Sequence, residues 1–193
     1  MFDLLRAHIG KRIKLTDDEF RRCTAYFTQK KIRKRQFLLQ EGEVCRDIAF
    51  VTGGCLRAYT VDHKGNEHVI QFAVPDWWIS DLASYLGGSP AMQSIDALQD
   101  SKVLLLDRSA RDELLNAVPA LERFFRLLLE ANYIATHRRI QDSLSASAEE
   151  RYLTFIATYP DLSEQIPQAQ IASYLGITPQ SLSRIRRELM RSR

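Results

Sequence analysis

Between Ile171 and Leu189 the apolar residues recur at helical spacing, stop, and start again across Gly176-Ile177-Thr178-Pro179. Few folds tolerate that punctuation. Ile171, Ala172 and Leu175 make one short apolar stripe. Gly176 is the residue type that leaves a helix with positive φ. Thr178 carries an N-cap side chain, and Pro179 suits a first helical position, where its missing N–H costs nothing. Pro167 opens the preceding helix in the same way. Leu182, Ile185 and Leu189 then give the second helix one buried face. The stretch 166–189 reads as a helix-turn-helix.

The face left over carries Gln180, Ser181, Ser183, Arg184, Arg187 and Arg191. Gln hydrogen-bonds adenine bidentately, Arg does the same to guanine, and Ser serves a base or a phosphate. A helix fits the major groove with its N-terminal end on the base edges. The composition therefore points to double-stranded DNA. Two ordinary surface helices joined by a tight turn are the plain alternative, and the cap, the turn and the arginines together weigh against it.

The 193 residues suffice for one large domain or two small ones. The net charge of +3 says little, but five Arg and one Glu lie between Arg184 and the end, a footprint of phosphate contact. No apolar run approaches the roughly 18–20 residues of a membrane span. Residues 1–14 lack the apolar core and cleavage site of a secretory leader. A cytoplasmic protein with no membrane partner is expected. Cys23, Cys45 and Cys55 form no C-x-x-C pair, and His8, His63, His68 and His137 are scattered. Reduced thiols are expected, with no metal and no cofactor. No His/Glu ligand cluster or nucleophile–base pair argues for an enzyme.

Residues 1 to about 30 read as helical, with Thr16 and Glu19 spaced as a capping box and Phe20, Cys23 and Phe27 continuing at helical spacing. From about 32 to 106 short alternating runs take over: 32–40, 47–51, 55–61, 68–74, 94–97 and 102–107, with a hairpin loop at 62–67. Many short strands with glycine turns suggest a barrel or jelly roll. Ser109 reads as the cap of the next helix. Pro119 opens a long helix to about Leu144 whose apolar residues exceed what one packing face needs, so a second copy of the chain is the economical partner. Residues 143–150 read as a hinge, and Glu149–Tyr159 as one more amphipathic helix. The fold class expected is α+β: an N-terminal β-roll with flanking helices, a long dimerisation helix, and a C-terminal all-α helix-turn-helix without an extended terminal wing. The expected domains are 1–118, 119–145 and 146–193.

This order resembles the CRP/FNR family of bacterial transcription regulators from about Leu15 to Leu189. The carriers are Phe37-Leu38-Leu39-Gln40-Glu41-Gly42-Glu43, Ile48-Ala49-Phe50-Val51-Thr52-Gly53-Gly54, the loop around Gly65-Asn66-Glu67, and Gln170-Ile171-Ala172 to Arg184. The resemblance implies a homodimer with a sensing β-roll, RNA polymerase as a further partner, and a C-terminal helix in the major groove. It places Pro179, Gln180 and Arg184 at base-reading positions, with Ser181 beside them, and leaves Thr178, Ser183, Arg186, Arg187 and Arg191 for the phosphates. Gln180 stands where a glutamate is usual and Pro179 where an arginine often is, so the family's preferred DNA sequence does not carry over. Cyclic-nucleotide-binding members have a Gly-Glu pair and then an Arg; here Ser80-Asp81 and Ala91-Met92 fall at those places, with no Arg or Lys between Lys64 and Lys102. A buried phosphate without a cation loses its strongest contact. Tight cyclic AMP binding is not expected, nor is the iron–sulfur cluster of members with N-terminal cysteines. Trp77, Trp78, Ser80, Asp81 and Met92 are the candidates for an unknown small-molecule effector pocket, with core or dimer packing as the plainer role of the tryptophans. The other functional reading is a small-molecule-binding β-roll whose helical C-terminus mediates protein contacts.

Overall fold

A computed structural model describes residues 1–160 and 162–191, so Arg193 of the basic cluster lies outside the described residues. The chain divides into two compact units. One comprises Met1–Val61 and Ile70–Glu130, the other Asp62–Val69 and residue 131 onward, so the division falls inside the long helix rather than at either expected boundary.

The first unit opens with α1 (Phe2–Gly10) and α2 (Asp17–Thr24). Thr16 caps α2 in a complete capping box with Glu19. Eight strands follow: β1 (Thr28–Ile32), β2 (Phe37–Leu39), β3 (Asp47–Gly53), β4 (Leu56–Val61), β5 (Glu67–Ala73), β6 (Trp78–Ile79), β7 (Ser94–Ala97) and β8 (Ser101–Asp107). They form two four-stranded sheets in the orders β1-β8-β3-β6 and β2-β7-β4-β5. Inward residues such as Phe50, Leu56, Ile95, Leu104 and Leu106 are fully buried. A roll of short strands around one apolar core is the fold that the alternating pattern implied. Gly54 is required sterically: its φ is +81°, and a Cβ there would lie 2.4 Å from the Asp100 carbonyl oxygen.

Three local differences from the sequence expectation have physical reasons. The helical signal ends at Thr24, not near residue 30, because 28–32 pairs with β8 as an edge strand. Its Thr, Gln and two Lys are exposed and only Ile32 is buried, so no alternation was there to read. The stretch 32–40 is split between β1 and β2 by a turn in which Arg35 takes a left-handed φ of 68°. The cap of α4 (Arg108–Ala117) is Asp107, whose carboxylate accepts from the Ser109 N–H at 2.8 Å; Ser109 lies inside the helix. The short helix α3 (Leu82–Gly87) was not foreseen.

The long helix α5 runs from Ala120 to Ser145. Leu121 and Phe124 are buried in the first unit, whereas Tyr133, Ile134, Ile140 and Leu144 are exposed. No helix among the described residues is long and apolar enough to cross a membrane.

The second unit contains α6 (Ala148–Thr158), α7 (Leu162–Gln165), α8 (Gln168–Leu175) and α9 (Pro179–Arg191). Ser147 and Glu150 form a capping box that starts α6 where the hinge was expected. Tyr152, Phe155, Ile171, Ala172, Leu175, Leu182 and Ile185 are buried in it. The tip of the β4–β5 hairpin belongs to this unit. Ser173 Oγ on α8 accepts from the Val69 N–H at 3.0 Å and donates to the Glu67 carbonyl at 2.7 Å, the pairing a neighbouring strand would supply.

Candidate nucleic-acid interface

The geometry starts at the turn. Gly176 is left-handed at φ 66° and closes α8 with a pair of backbone bonds, from its own N–H to Ser173 and from the Ile177 N–H to Ala172. This is the pattern that satisfies a helix's last carbonyls and reverses the chain. Thr178 then starts α9: its hydroxyl accepts from the Ser181 N–H at 3.1 Å, and its carbonyl accepts from the Leu182 N–H at 3.0 Å. Pro179 is exposed in the first turn, where its lack of an N–H leaves nothing unpaired.

At 100° per residue, Gln180, Ser183, Arg184, Arg187 and Arg191 fall on one side of α9, and all are exposed. Leu182 and Ile185 occupy the opposite, buried side. Ser181 and Arg186 lie half-buried at the margins. The structure thus brings Gln180, Ser183, Arg184 and Arg187 onto one face. Thr178 and Ser181 are engaged in starting the helix. Ser183 donates to Gln168 Oε1 at 3.3 Å, which ties one edge of that face to the start of α8. Gln168 had no part in the sequence reading; its position just after Pro167, at the open end of α8, was the available signal. Arg184 lies 4.0 Å from the Glu188 carboxylate, both side chains well exposed, a contact too loose and wet to hold the guanidinium. Gln180 and Arg187 make no hydrogen bond or ion pair among the described residues.

The effector candidates separate. Trp78 is buried among the rings of His8, Phe27, Phe50, Phe124 and Phe125, so it is core. Its indole N–H donates to His8 Nε2 at 3.2 Å, and Arg12 lies 3.1 Å from the same nitrogen. His8 Nδ1 faces Asp76 at 2.8 Å, and Asp76 also binds Lys11. Burial holds the His8 pKa below its ordinary value against the opposing pull of Asp76. Nε2 is an acceptor here, so the imidazole is neutral with its proton on Nδ1.

Asp81 and Met92 do come together. The Asp81 carboxylate caps α3 through the Ser84 N–H at 3.0 Å and takes the Met92 N–H at 2.9 Å. Ser80 accepts from Gln93 through its carbonyl, and the Met92 side chain is 79% exposed. Trp77 is half-buried against the core. The buried arginine of the roll, Arg57, holds Asp96 bidentately at 2.8 and 3.0 Å. A cavity of about 340 Å³ lies between the starts of β3 and α4, lined by Cys45, Arg46, Asp107, Arg108 and their neighbours, and none of the five candidates reaches it. Cys23, Cys45 and Cys55 are free and buried, and burial pushes the thiols of Cys23 and Cys55 up to about 12. No group of three or more His, Cys, Asp or Glu able to hold a metal ion occurs among the described residues.

Comparison with known proteins fits both units. Residues 29–117 match the cyclic nucleotide-binding domain family, which defines the class of the roll. Regulatory protein HlyX of Actinobacillus pleuropneumoniae is 22% identical over 170 residues, 81% of this chain and 69% of its own length. The fumarate and nitrate reduction regulatory protein of Escherichia coli K12 is 24% identical over 173 residues, 81% of this chain and 66% of its own length. The chain thus spans about two thirds of the curated relatives it matches. FixK2 from Bradyrhizobium japonicum superposes with a TM-score of 0.73 at 20% identity, over 86% of this chain and 85% of that one. The catabolite activator protein of Thermus thermophilus does so with a TM-score of 0.59 at 19% identity, over 92% and 85%. With a nucleotide-binding-type roll followed by a helix-turn-helix, the chain is similar to regulators of the CRP/FNR type, and the relatives it matches are regulatory proteins.

Proposed function

We propose that this protein is a homodimeric, sequence-specific DNA-binding regulator that reads two-fold sites with α9, controlled at the roll by an effector other than cyclic AMP. The observation that carries the reading is the exposed face of α9. Gln180, Ser183, Arg184 and Arg187 stand together on a helix whose start and buried side are already satisfied. Gln180 and Arg184, one turn apart at the N-terminal end, face base edges, and Ser183 flanks them at the edge of the face. Arg187 and Arg191 meet phosphates, with Arg186 at the flank. The exposed apolar side chains of α5 support a two-fold partner, which a two-fold site requires. RNA polymerase is the further partner of a regulator that acts on transcription.

The exclusion of cyclic nucleotide rests on the missing cation: no Arg or Lys lies between Lys64 and Lys102 to meet a phosphate. The Asp81 carboxylate, which stands at the place of the family's glutamate, is already committed to the Ser84 and Met92 N–H groups.

Selection of sites from randomised duplex DNA at two salt concentrations tests the reading. A two-fold consensus with half-sites about one helical turn apart is expected, with affinity falling steeply as salt rises. Absence of DNA binding at low salt overturns it and leaves the protein-contact reading of the helical C-terminus.

A further inference from the structure

Along α5 the residues Tyr133, His137, Ile140 and Leu144 follow one another at the alternating four- and three-residue steps of a coiled-coil seam. Tyr133, Ile140 and Leu144 are 68%, 54% and 84% exposed, and His137 is exposed with its ring 5.8 Å from that of Tyr133. Taking Tyr133 and Ile140 as d positions makes His137 and Leu144 a positions. In a parallel two-fold pair each a residue meets its own copy. His137 then faces the partner's His137, between a tyrosine layer and an isoleucine layer.

The charges around that layer decide its behaviour. The e and g positions flanking it are Ile134, Thr136, Gln141 and Ser143, all neutral. Arg138, Arg139 and Asp142 fall at the outer b, c and f positions, and Arg139 lies over the Tyr174 ring of α8 at 4.8 Å. Glu130, one heptad earlier, is bound by Arg126 at 2.6 Å. Glu130 is thus the seam carboxylate nearest His137, at the preceding a position roughly 10 Å along the helix and already paired, and no other a, d, e or g position from 129 to 144 carries one. Two neutral imidazoles facing each other share a hydrogen bond, one as donor and one as acceptor. Two imidazolium ions have only donors and repel in a half-dried seam. Histidine changes between these states within pH 5–8.

We propose that the α5 seam is a self-association surface gated by His137, tight when the imidazoles are neutral and loosened when they are protonated. The inference rests on the dimer reading above. It makes site occupancy on DNA fall in acid without any ligand at the roll, because a monomer holds only one half-site.

Sedimentation equilibrium of the full chain at pH 7.5 and 5.5 tests it, alongside His137→Gln and His137→Leu, with far-UV circular dichroism at both pH values to follow helicity. The dimer dissociation constant of the unaltered protein is expected to rise on the order of tenfold in acid at unchanged helicity. His137→Gln should remove the pH dependence, and His137→Leu should tighten the dimer at both values. Should the leucine variant fail to fold, the glutamine variant decides. A dimer insensitive to pH, or one whose acid dissociation persists in His137→Gln, overturns the proposal while leaving the dimer intact. A monomer at both pH values overturns the dimer reading and the proposal together.

Discussion

At the start of α3 the Asp81 carboxylate holds two backbone N–H groups, those of Ser84 and Met92. At the start of α9 the Thr178 hydroxyl does the capping alone, and the next outward side chains, Gln180 and Arg184, are left to solvent. Both starts are electropositive ends that attract anions. The first has been filled from within the chain; the second keeps its side-chain donors for something outside it. The same contrast holds for the arginines: Arg57 in the roll grips Asp96 bidentately, whereas Arg184 has only a 4.0 Å contact with Glu188. The two helix starts thus differ in what their donors meet: a carboxylate of the same chain at α3, solvent beside the cap at α9.

Glycines give the sharpest way to break that comparison. Gly54 and Gly176 are both left-handed, but a Cβ meets backbone only at Gly54. Gly54→Ala should cost about 3 kcal/mol or more, and Gly176→Ala about 1 kcal/mol, measured by denaturant unfolding. Equal costs would mean that the roll relaxes around the added methyl. Next comes Asp81→Ala, which orphans two backbone donors and should destabilise by about 2–3 kcal/mol; Thr178→Ala should cost about 1 kcal/mol. A neutral Asp81→Ala would show those donors satisfied by water and the site open after all. Arg184→Ala should leave the unfolding midpoint within about 0.5 kcal/mol of the parent and cost roughly 1–3 kcal/mol in DNA binding, with specificity relaxed at one base. Uniform weakening on every sequence would reassign Arg184 to a phosphate.

The smallest effect is on pH dependence. Burial lowers the His8 pKa, so the folded roll binds fewer protons than the unfolded chain between the folded value and about 6.5. Stability is complete above that range and is lost as pH falls through it. His8→Gln should flatten the decline in a thermal-melt series from pH 7.5 to 5, and an unchanged slope would assign the acid sensitivity to other groups. His8 lies in the core of one unit while His137 lies on an exposed helix face, so thermal melts and sedimentation separate the two.

The helix-turn-helix was legible in the sequence because its information is local. Gly176, Thr178 and the 3.6-residue spacing of Leu182, Ile185 and Leu189 specify turn, cap and faces within two dozen residues, and the capping box at Thr16 was legible for the same reason. The roll was legible as a class but not at its site. Trp78 becomes core only because His8, 70 positions earlier, and Phe124 on α5 close around it. Asp81 is engaged by Met92 across a loop, which no periodicity announces. The edge strand β1 escaped notice because pairing with β8, and not an alternating pattern, makes it a strand. Ser183 was placed with the phosphate contacts by residue type, and at 100° per residue it lies at the edge of the face that carries Gln180, Arg184 and Arg187.

The hydroxyl of Ser173 carries a practical consequence for anyone dissecting the chain. A protein cut after Ser145 would look like the roll released whole, since residues 62–69 precede the cut. It would in fact lose the group that receives the Val69 N–H and caps the Glu67 carbonyl. The hairpin tip would lose both of those bonds along its edge, the kind of exposed edge that pairs with another molecule. Misbehaviour of such a fragment would report the missing serine rather than any instability of the roll.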